Sequence, residues 1–425
     1  MAAAQRDNFP MSSPHRNAST KHDRYQALWP WLLLALLWGV ALLNYLDREV
    51  IYSIFPLLQT DLHASSVQLG LTSAVFLVTY GLVSPFAGVM ADRFGQGRII
   101  LLSIVVWSIA SYLAGHVSSM SQLLITQAAM GFSEAFYIPA ALGLLIRTHK
   151  ERFRSLATGI HQTGIYAGII AGGTIGGLAE HHSSWRTIFS LLGCIGVVYA
   201  GVLWLAMRGH RTPGTCSNQG LVFATLARNA GLRLYTLVFV AFSIATWMLY
   251  AWLPLYLYEH FHMSLIAAGF MATFWLQTMS FAGAFLGGIV SDHFARSTVN
   301  ARIYVQTAGL LIACPFLVGL SFTNSRVVAI LVLITIGLGR GCFDANTAPI
   351  LAQIVSPELS SSAYGILNFA GCFVAGLTTL SGGWMRQNVS IRLIFPVAGF
   401  ALLGGIWILI LMARQSARQA DAAGA

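Results

Sequence analysis

Long apolar runs, separated by short polar or turn-rich stretches, fill most of the chain. A membrane-crossing helix needs roughly 20 predominantly apolar residues, more when tilted. Cutting at the polar segments predicts twelve such helices, over residues 28–58, 67–92, 97–116, 120–147, 155–180, 186–207, 232–259, 265–292, 300–321, 327–355, 360–385 and 391–413. Residues 99–146 hold a single acidic residue and no Lys or Arg. So little charge over that length reads as helices rather than as the alternating strands, about ten residues each, of an outer-membrane barrel. The longest hydrophilic interruption, 208–231, falls almost at mid-chain. The pattern therefore predicts an all-α polytopic membrane protein with a tail 1–27, six helices over 28–207, a linker 208–231, six helices over 232–413 and a tail 414–425.

Composition sharpens this reading. Charged residues make up 9% of the 425 and hydrophobic ones 56%, with mean hydropathy +0.69. A soluble domain carries about 25% charged residues, so this chain cannot cover a water-soluble globule. Disordered, collagenous and disulfide-scaffold classes need high charge, periodic Gly or dense Cys, and are excluded on the same ground. Cys194, Cys216, Cys314, Cys342 and Cys372 are scattered, with no metal-ligand spacing. The apolar run from about Leu28 is too long for a signal-peptide core, so the basic segment before it is expected to be retained. Placing both termini in the cytoplasm puts eighteen Lys and Arg inside, four outside (Arg186, Arg326, Arg386, Arg392) and two, Arg48 and Arg340, within spans. That is a positive-inside bias. The formal charge of +10 is then topological and calls for no nucleic-acid partner.

The halves repeat. Gly88-x3-Asp92-x-Phe94 recurs as Gly288-x3-Asp292-x-Phe294, and Gly131-x2-Glu134-Ala135-x3-Pro139 as Gly341-x2-Asp344-Ala345-x3-Pro349. Arg186-x-Ile188-Phe189 recurs as Arg392-x-Ile394-Phe395, and Pro56 to Gly70 matches Pro254 to Gly269 within one residue. Each pair sits at the same place in its half. Two pseudo-symmetric six-helix bundles with a cavity between them follow, and parallel-repeat transporters bind substrate there, near the bilayer midplane.

The segment Gly88-Val89-Met90-Ala91-Asp92-Arg93-Phe94-Gly95 resembles the signature loop of the major facilitator superfamily. That family continues with two basic residues, whereas here Gln96 and Gly97 precede Arg98. The resemblance covers about 28–413. Within the superfamily, Asn44-Tyr45-Leu46-Asp47-Arg48 and Gly131-x2-Glu134-Ala135-x3-Pro139 are similar to the anion:cation symporter family, which includes sugar-acid and sialic-acid/glutamate-type carriers. Spinster-like lysolipid carriers share much of the pattern and stand as the alternative. The symporters usually place an Arg, one of their anion anchors, seven residues before the fourth-helix Glu; Gln127 occupies that position here. The resemblance also implies a gating role for Asp92 and Arg93.

Charge inside a membrane helix costs about 2.5–3.5 kcal/mol per residue on insertion scales. The chain keeps Asp47, Arg48 and Glu49 in the first helix, Glu134 in the fourth, and Arg340 and Asp344 in the tenth. Arg48 shares a helix face with Asn44 and Tyr52, expected to look into the cavity. Glu134 lies between the small residues Gly131 and Ala135, in a tight site where desolvation favours the neutral acid and a nearby Arg the charged one. These opposed terms suit proton coupling. The reading is that an anion binds Arg48, with Arg340, by charge-assisted hydrogen bonds. It thereby competes with Glu134 or Asp47 for the guanidinium and promotes proton uptake, with Asp344 as the third coupling carboxyl. The alternative is that Arg48–Glu134 and Arg340–Asp344 are static pairs; the second pair is four residues apart, on one face. Glu49 is the weakest of these charges as a site residue.

Tyr45, Tyr52, Tyr137, Gln127, Gln162 and Asn368 join the expected substrate contacts, the last two being amides at equivalent places in the two halves. Asp92, Arg93, Arg98, Asp292 and Arg296 are expected to form a state-dependent latch between the bundles. No cofactor or metal is expected; the coupling ion is H+, with Na+ as the alternative. The expected setting is a monomer in a bacterial inner membrane, working on a small molecule. The chain lacks G-x-S-x-G and H-E-x-x-H motifs, so an enzyme is not expected.

Overall fold

The computed structural model describes residues 16–179, 184–208, 226, 228–355 and 359–424. Among them the regular structure is entirely helical: α1 (Arg16–Ser53), α2 (Phe55–Asp61), α3 (Ser66–Phe94), α4 (Gln96–Ala114), α5 (Met120–Glu134), α6 (Tyr137–Thr148), α7 (Glu151–Leu178), α8 (Trp185–Met207), α9 (Ala230–Phe261), α10 (Leu265–Phe294), α11 (Ala301–Gly319), α12 (Arg326–Ile354), α13 (Ser360–Asn388) and α14 (Ile394–Gly424), the last entered through a 3-10 turn (Ile391–Leu393). Most of the predicted linker 208–231 lies outside the described residues. Five helices that run in the same sense open on a serine cap, at Ser65, Ser119, Ser184, Ser264 and Ser325, each accepting from a backbone N–H of the first turn. Such a cap contributes about 1 kcal/mol.

Two predicted spans are interrupted. The first, expected over 28–58, ends at Ser53 because Pro56 starts the separate stub α2. The fourth, expected over 120–147, divides into α5 and α6 at Ala135 and Phe136. Pro139 has no N–H for the Ala135 carbonyl and its ring crowds that oxygen, so the break falls directly after Glu134.

Eleven described spans have the length and apolarity to cross a membrane, counting α5 and α6 together. The twelfth is α7, which holds seven glycines and begins Glu-Arg-Phe-Arg. One face of it is covered by protein. A Cβ added at Gly164, Gly168, Gly172 or Gly176 would come within 3.0 Å of the carbonyl oxygen of Trp38, Leu42, Leu46 or Val50 respectively. The constant offset makes α1 and α7 parallel neighbours at backbone contact. Large apolar side chains such as Leu102, Val198, Phe285 and Phe400 lie exposed on the outside, as a lipid-facing surface requires.

The two six-helix bundles, α1–α8 and α9–α14, meet along α3–α13 and α7–α10. Both seams are antiparallel and run only part of the length. From the end carrying α2 and Asn388, α3 touches α13 from Ser66 and Gly383, through Gly70 and Thr379, as far as Ser84 and Asn368. On the other seam, contact runs from Gly177 and Ile266 to the Tyr166–Phe281 ring pair. Toward the end carrying Arg93, Arg98, Arg147 and Arg296, hereafter the basic end, the seams part. A Cβ added at Gly88, Gly159, Gly288 or Gly365 would meet nothing within 4 Å among the described residues. The molecule is closed at one end and open at the basic end.

Candidate functional site

Arg48 lies where the bundles meet, 7% exposed. Its guanidinium carbon sits 5.4 Å from the Tyr45 ring, 4.4 Å from Phe76, 4.8 Å from Tyr80 and 5.2 Å from Trp247. The first comes from α1, the next two from α3 of the same bundle and the last from α9 of the opposite one. Each ring face attracts a cation, so the cage holds the charge without neutralising it. Nε and Nη2 have no hydrogen-bond partner among the described residues. Glu134 is 1% exposed, acts electrostatically on Arg48, and has neither oxygen hydrogen-bonded. The amide of Asn44 is its polar neighbour, without hydrogen-bond geometry. A static Arg48–Glu134 ion pair is therefore absent from this state. Gly131 lets α5 cross α3 at the Phe76 carbonyl, which sets Glu134 against the cage.

The opposite bundle presents a different arrangement. Arg340 donates to Gln277 Oε1 at 3.1 Å and Ser280 Oγ at 3.3 Å, pairs with Asp344 at 3.5 Å, and lies 5.0 Å from the Tyr250 ring. Gln277 donates in turn to the Tyr250 hydroxyl at 2.7 Å. Arg340 is thus held in a polar net, whereas Arg48 is held by rings alone. Arg48 keeps the larger unmet hydrogen-bonding capacity.

The remaining expected site residues divide. Asp47 turns away from the cavity and accepts from Ser111 Oγ at 2.7 Å, inside its own bundle. Tyr137 is fully buried; its hydroxyl donates to the Leu37 carbonyl at 2.7 Å and meets His161 Nε2 at 2.8 Å. Its hydroxyl is thus engaged inside its own bundle in this state, away from the expected substrate contact. Tyr52 packs edge-on against Phe55, and Gln127 is buried beside Met130. Asn368 donates to Ser84 Oγ of the other bundle at 2.7 Å, while Gln162 is exposed on α7.

Among the described residues, the expected latch at the basic end is not formed. Arg93, Arg98 and Arg296 are exposed, and Asp292 pairs with Arg302 of its own bundle at 3.1 Å. The side chain of Asp92 lies outside the described residues. The latch that does exist is at the closed end and was not expected. Arg386, on α13, pairs with Glu259 of α9 and donates to Ser66 and to Gln59, at 3.2 Å, of the other bundle. Nearby, Asp61 pairs with Arg186 and accepts from Trp185 Nε1 at 2.8 Å. Slight burial works to raise the Asp61 pKa, but these donors and the Arg186 charge outweigh it and hold the carboxyl below its ordinary range. Phe76, Tyr80, Ser111 and Ser280 also escaped the sequence reading. Phe76 and Tyr80 are four apart on one helix face, a signal that was available; Ser111 and Ser280 carry none.

Residues 37–379 match the family model of the Major Facilitator Superfamily. Relatives include the uncharacterized transporter YybO of Bacillus subtilis (strain 168), 26% identical over 88% of this chain and 92% of its own. The probable galactarate/D-glucarate transporter GarP of Escherichia coli (strain K12) is 23% identical over 87% and 89%. The sodium-dependent phosphate transport protein 1, chloroplastic, of Arabidopsis thaliana is 26% identical over 89% and 78%. The fold is that of a bacterial homologue of the human lysosomal transporter Spinster, solved inward-facing and unoccupied, with TM-score 0.77 and 20% identity over 91% of this chain and 97% of that one. With the family match spanning most of the length and the repeated halves built as two bundles around a central arginine, the chain belongs to the major facilitator superfamily of membrane transporters.

Proposed function

We propose that this transporter carries a small organic anion together with protons, by alternating access between the two bundles. The observation that carries the reading is Arg48: a buried cation between the bundles, ringed by aromatics, with two N–H groups unmet and the unbonded carboxyl of Glu134 beside it. An anion entering from the open end completes those hydrogen bonds. Its charge then competes with Glu134 for Arg48, and the carboxyl takes up a proton. Trp247 brings the opposite bundle to the same cation, so filling the site also draws the bundles together. Relatives described as transporters of galactarate/D-glucarate, hexuronate and phosphate support an anionic cargo. On this reading the basic end is cytoplasmic, and the protein works as a monomer in a bacterial inner membrane.

The test is uptake into proteoliposomes under an imposed proton gradient, with a panel of sugar acids, monocarboxylates, phosphate and lysolipids. Proton-driven accumulation of an organic acid is expected. In Arg48→Ala, loss of one or two charge-assisted hydrogen bonds, about 1.5–3 kcal/mol each, weakens uptake by about 10- to 100-fold or more. Lysolipid translocation without acid uptake, or normal uptake by Arg48→Ala, would overturn the proposal.

A further inference from the structure

Tyr250 stands on α9 between the two arginines. Its ring lies 5.0 Å from the Arg340 guanidinium and edge-on to the Trp247 ring at 5.8 Å. Trp247 in turn lies 5.2 Å from the Arg48 guanidinium. The two aromatics are three residues apart, one turn on a single face of the helix. Tyr250 is 7% exposed, and Gln277, its partner on α10, is fully buried.

The directions of the hydrogen bonds around Gln277 are fixed by chemistry. A guanidinium can only donate, so the amide atom that meets Arg340 Nη1 at 3.1 Å must be the oxygen. The amide nitrogen then faces the Tyr250 hydroxyl at 2.7 Å, and that nitrogen can only donate. Tyr250 therefore receives a proton from Gln277 and keeps its own, with no acceptor for it among the described residues. Other buried tyrosines are placed differently. Tyr137 gives its proton to the Leu37 carbonyl, and Tyr256 gives its own to the Leu320 carbonyl at 3.0 Å. Ser280, which also receives from Arg340, passes its proton to the Leu276 carbonyl at 2.7 Å and so ends inside the bundle. Of the two chains that start at Arg340 Nη1, the one through Gln277 ends on an unspent donor.

A bound anion supplies the missing acceptor. Its carboxylate fills the two unmet N–H groups of Arg48. The oxygens farther along the molecule then fall toward Tyr250, one ring beyond Trp247 on the same face of α9. We propose that the Tyr250 hydroxyl donates to a hydroxyl oxygen of a bound sugar acid and so determines specificity, with Gln277 as the positioning residue that fixes the direction of that bond. The proposal rests on the anion reading above. A site that hydrogen-bonds a substrate hydroxyl rejects an acid lacking it, because the buried donor is then left unmet.

The experiment is initial-rate uptake of labelled L-galactonate, a hydroxylated monoanion, into proteoliposomes under an imposed proton gradient. Tyr250→Phe, which removes the oxygen alone, is expected to raise KM about tenfold. Vmax and the final accumulation ratio stay at the wild-type values, since the coupling carboxyls are untouched. Gln277→Glu keeps an acceptor for Arg340 but offers Tyr250 a second one, which turns the hydroxyl proton away from the substrate. It should give the same rise in KM, and the double variant should be no worse than either single one, because one bond is lost in all three. Where the buried glutamate impairs folding, Tyr250→Phe decides the matter. An unchanged KM in Tyr250→Phe overturns the proposal, and rises that multiply in the double variant overturn the positioning role of Gln277. If wild type leaves L-galactonate outside but accumulates another organic acid with protons, the proposal falls and the anion reading stands. If no acid is accumulated, both fall.

Discussion

Gly269 and Gly288 lie on the same helix, α10, and a methyl group added to each should act very differently. A Cβ at Gly269 would fall far inside van der Waals contact with the Gly173 carbonyl oxygen across the seam, whereas a Cβ at Gly288 meets nothing within 4 Å among the described residues. The Gly173 carbonyl cannot retreat without losing its bond from Ser53 Oγ. Gly269→Ala must therefore spread α7 and α10 at the closed end, and overpacking of a tight contact costs about 1–3 kcal/mol. Taking about 2 kcal/mol, the balance between closed and open at that end shifts about 30-fold. Thr379→Cys in a background without the native cysteines supplies the reporter, because Thr379 is fully buried in the other seam beside Gly70. An impermeant maleimide, added on the side of the closed end, should label it about 30-fold faster in Gly269→Ala. Gly288→Ala should give no acceleration. Equal labelling in all three proteins would refute the assignment of this contact to closure, and so would acceleration by Gly288→Ala.

Arg386→Ala removes two charge-assisted hydrogen bonds across the bundles, to Ser66 and Gln59. Their loss, about 2 kcal/mol after allowance for partial exposure, should open the same end about 30-fold by the same labelling assay, with Arg386→Lys intermediate. Asp61 should show itself only in acid. Its lowered pKa means the ionised form is stabilised by folding, so the contribution is complete above the unfolded value of about 3.9 and is lost as pH falls through the folded one. Thermal melts of Asp61→Asn should therefore lie slightly below wild type at pH 7, by less than about 1 kcal/mol for so exposed a pair, and the gap should begin to close only below about pH 4, vanishing as pH falls through the lowered folded value.

Much of this arrangement was legible in the chain because charge inside a membrane is scarce. Arg48, Glu134, Arg340 and Asp344 announced themselves by their cost, and the repeated Gly-x2-acid-Ala-x3-Pro motifs placed two of them at equivalent points. Equivalent sequence did not give equivalent structure: Pro139 divides its span, whereas α12 continues through Pro349. The partners of Arg48 were harder to see, since Phe76, Tyr80 and Trp247 come from helices that only tertiary packing brings round it. Aromatic residues in apolar helices are ordinary packing elements, as Tyr137 proved to be, and the four-residue spacing of Phe76 and Tyr80 marks a shared face without saying what that face meets. The paired charges at the basic end were read correctly as charges, yet Asp292 found Arg302 because a latch between bundles exists only in the state where that end is shut.

The glycine-lined contact between α1 and α7 also bears on how the chain enters the bilayer. Seven glycines and a charged beginning make α7 the least apolar of the twelve spans. Its insertion during synthesis is then expected to be cooperative, helped by the close packing of α7 on α1, which is made first. Bulky substitutions at Gly168 or Gly172 should accordingly appear as defects of biogenesis, with protein degraded before it reaches the membrane, rather than as slow carriers. In that sense the surface that holds α7 inside its own bundle also sets the order in which the protein is assembled.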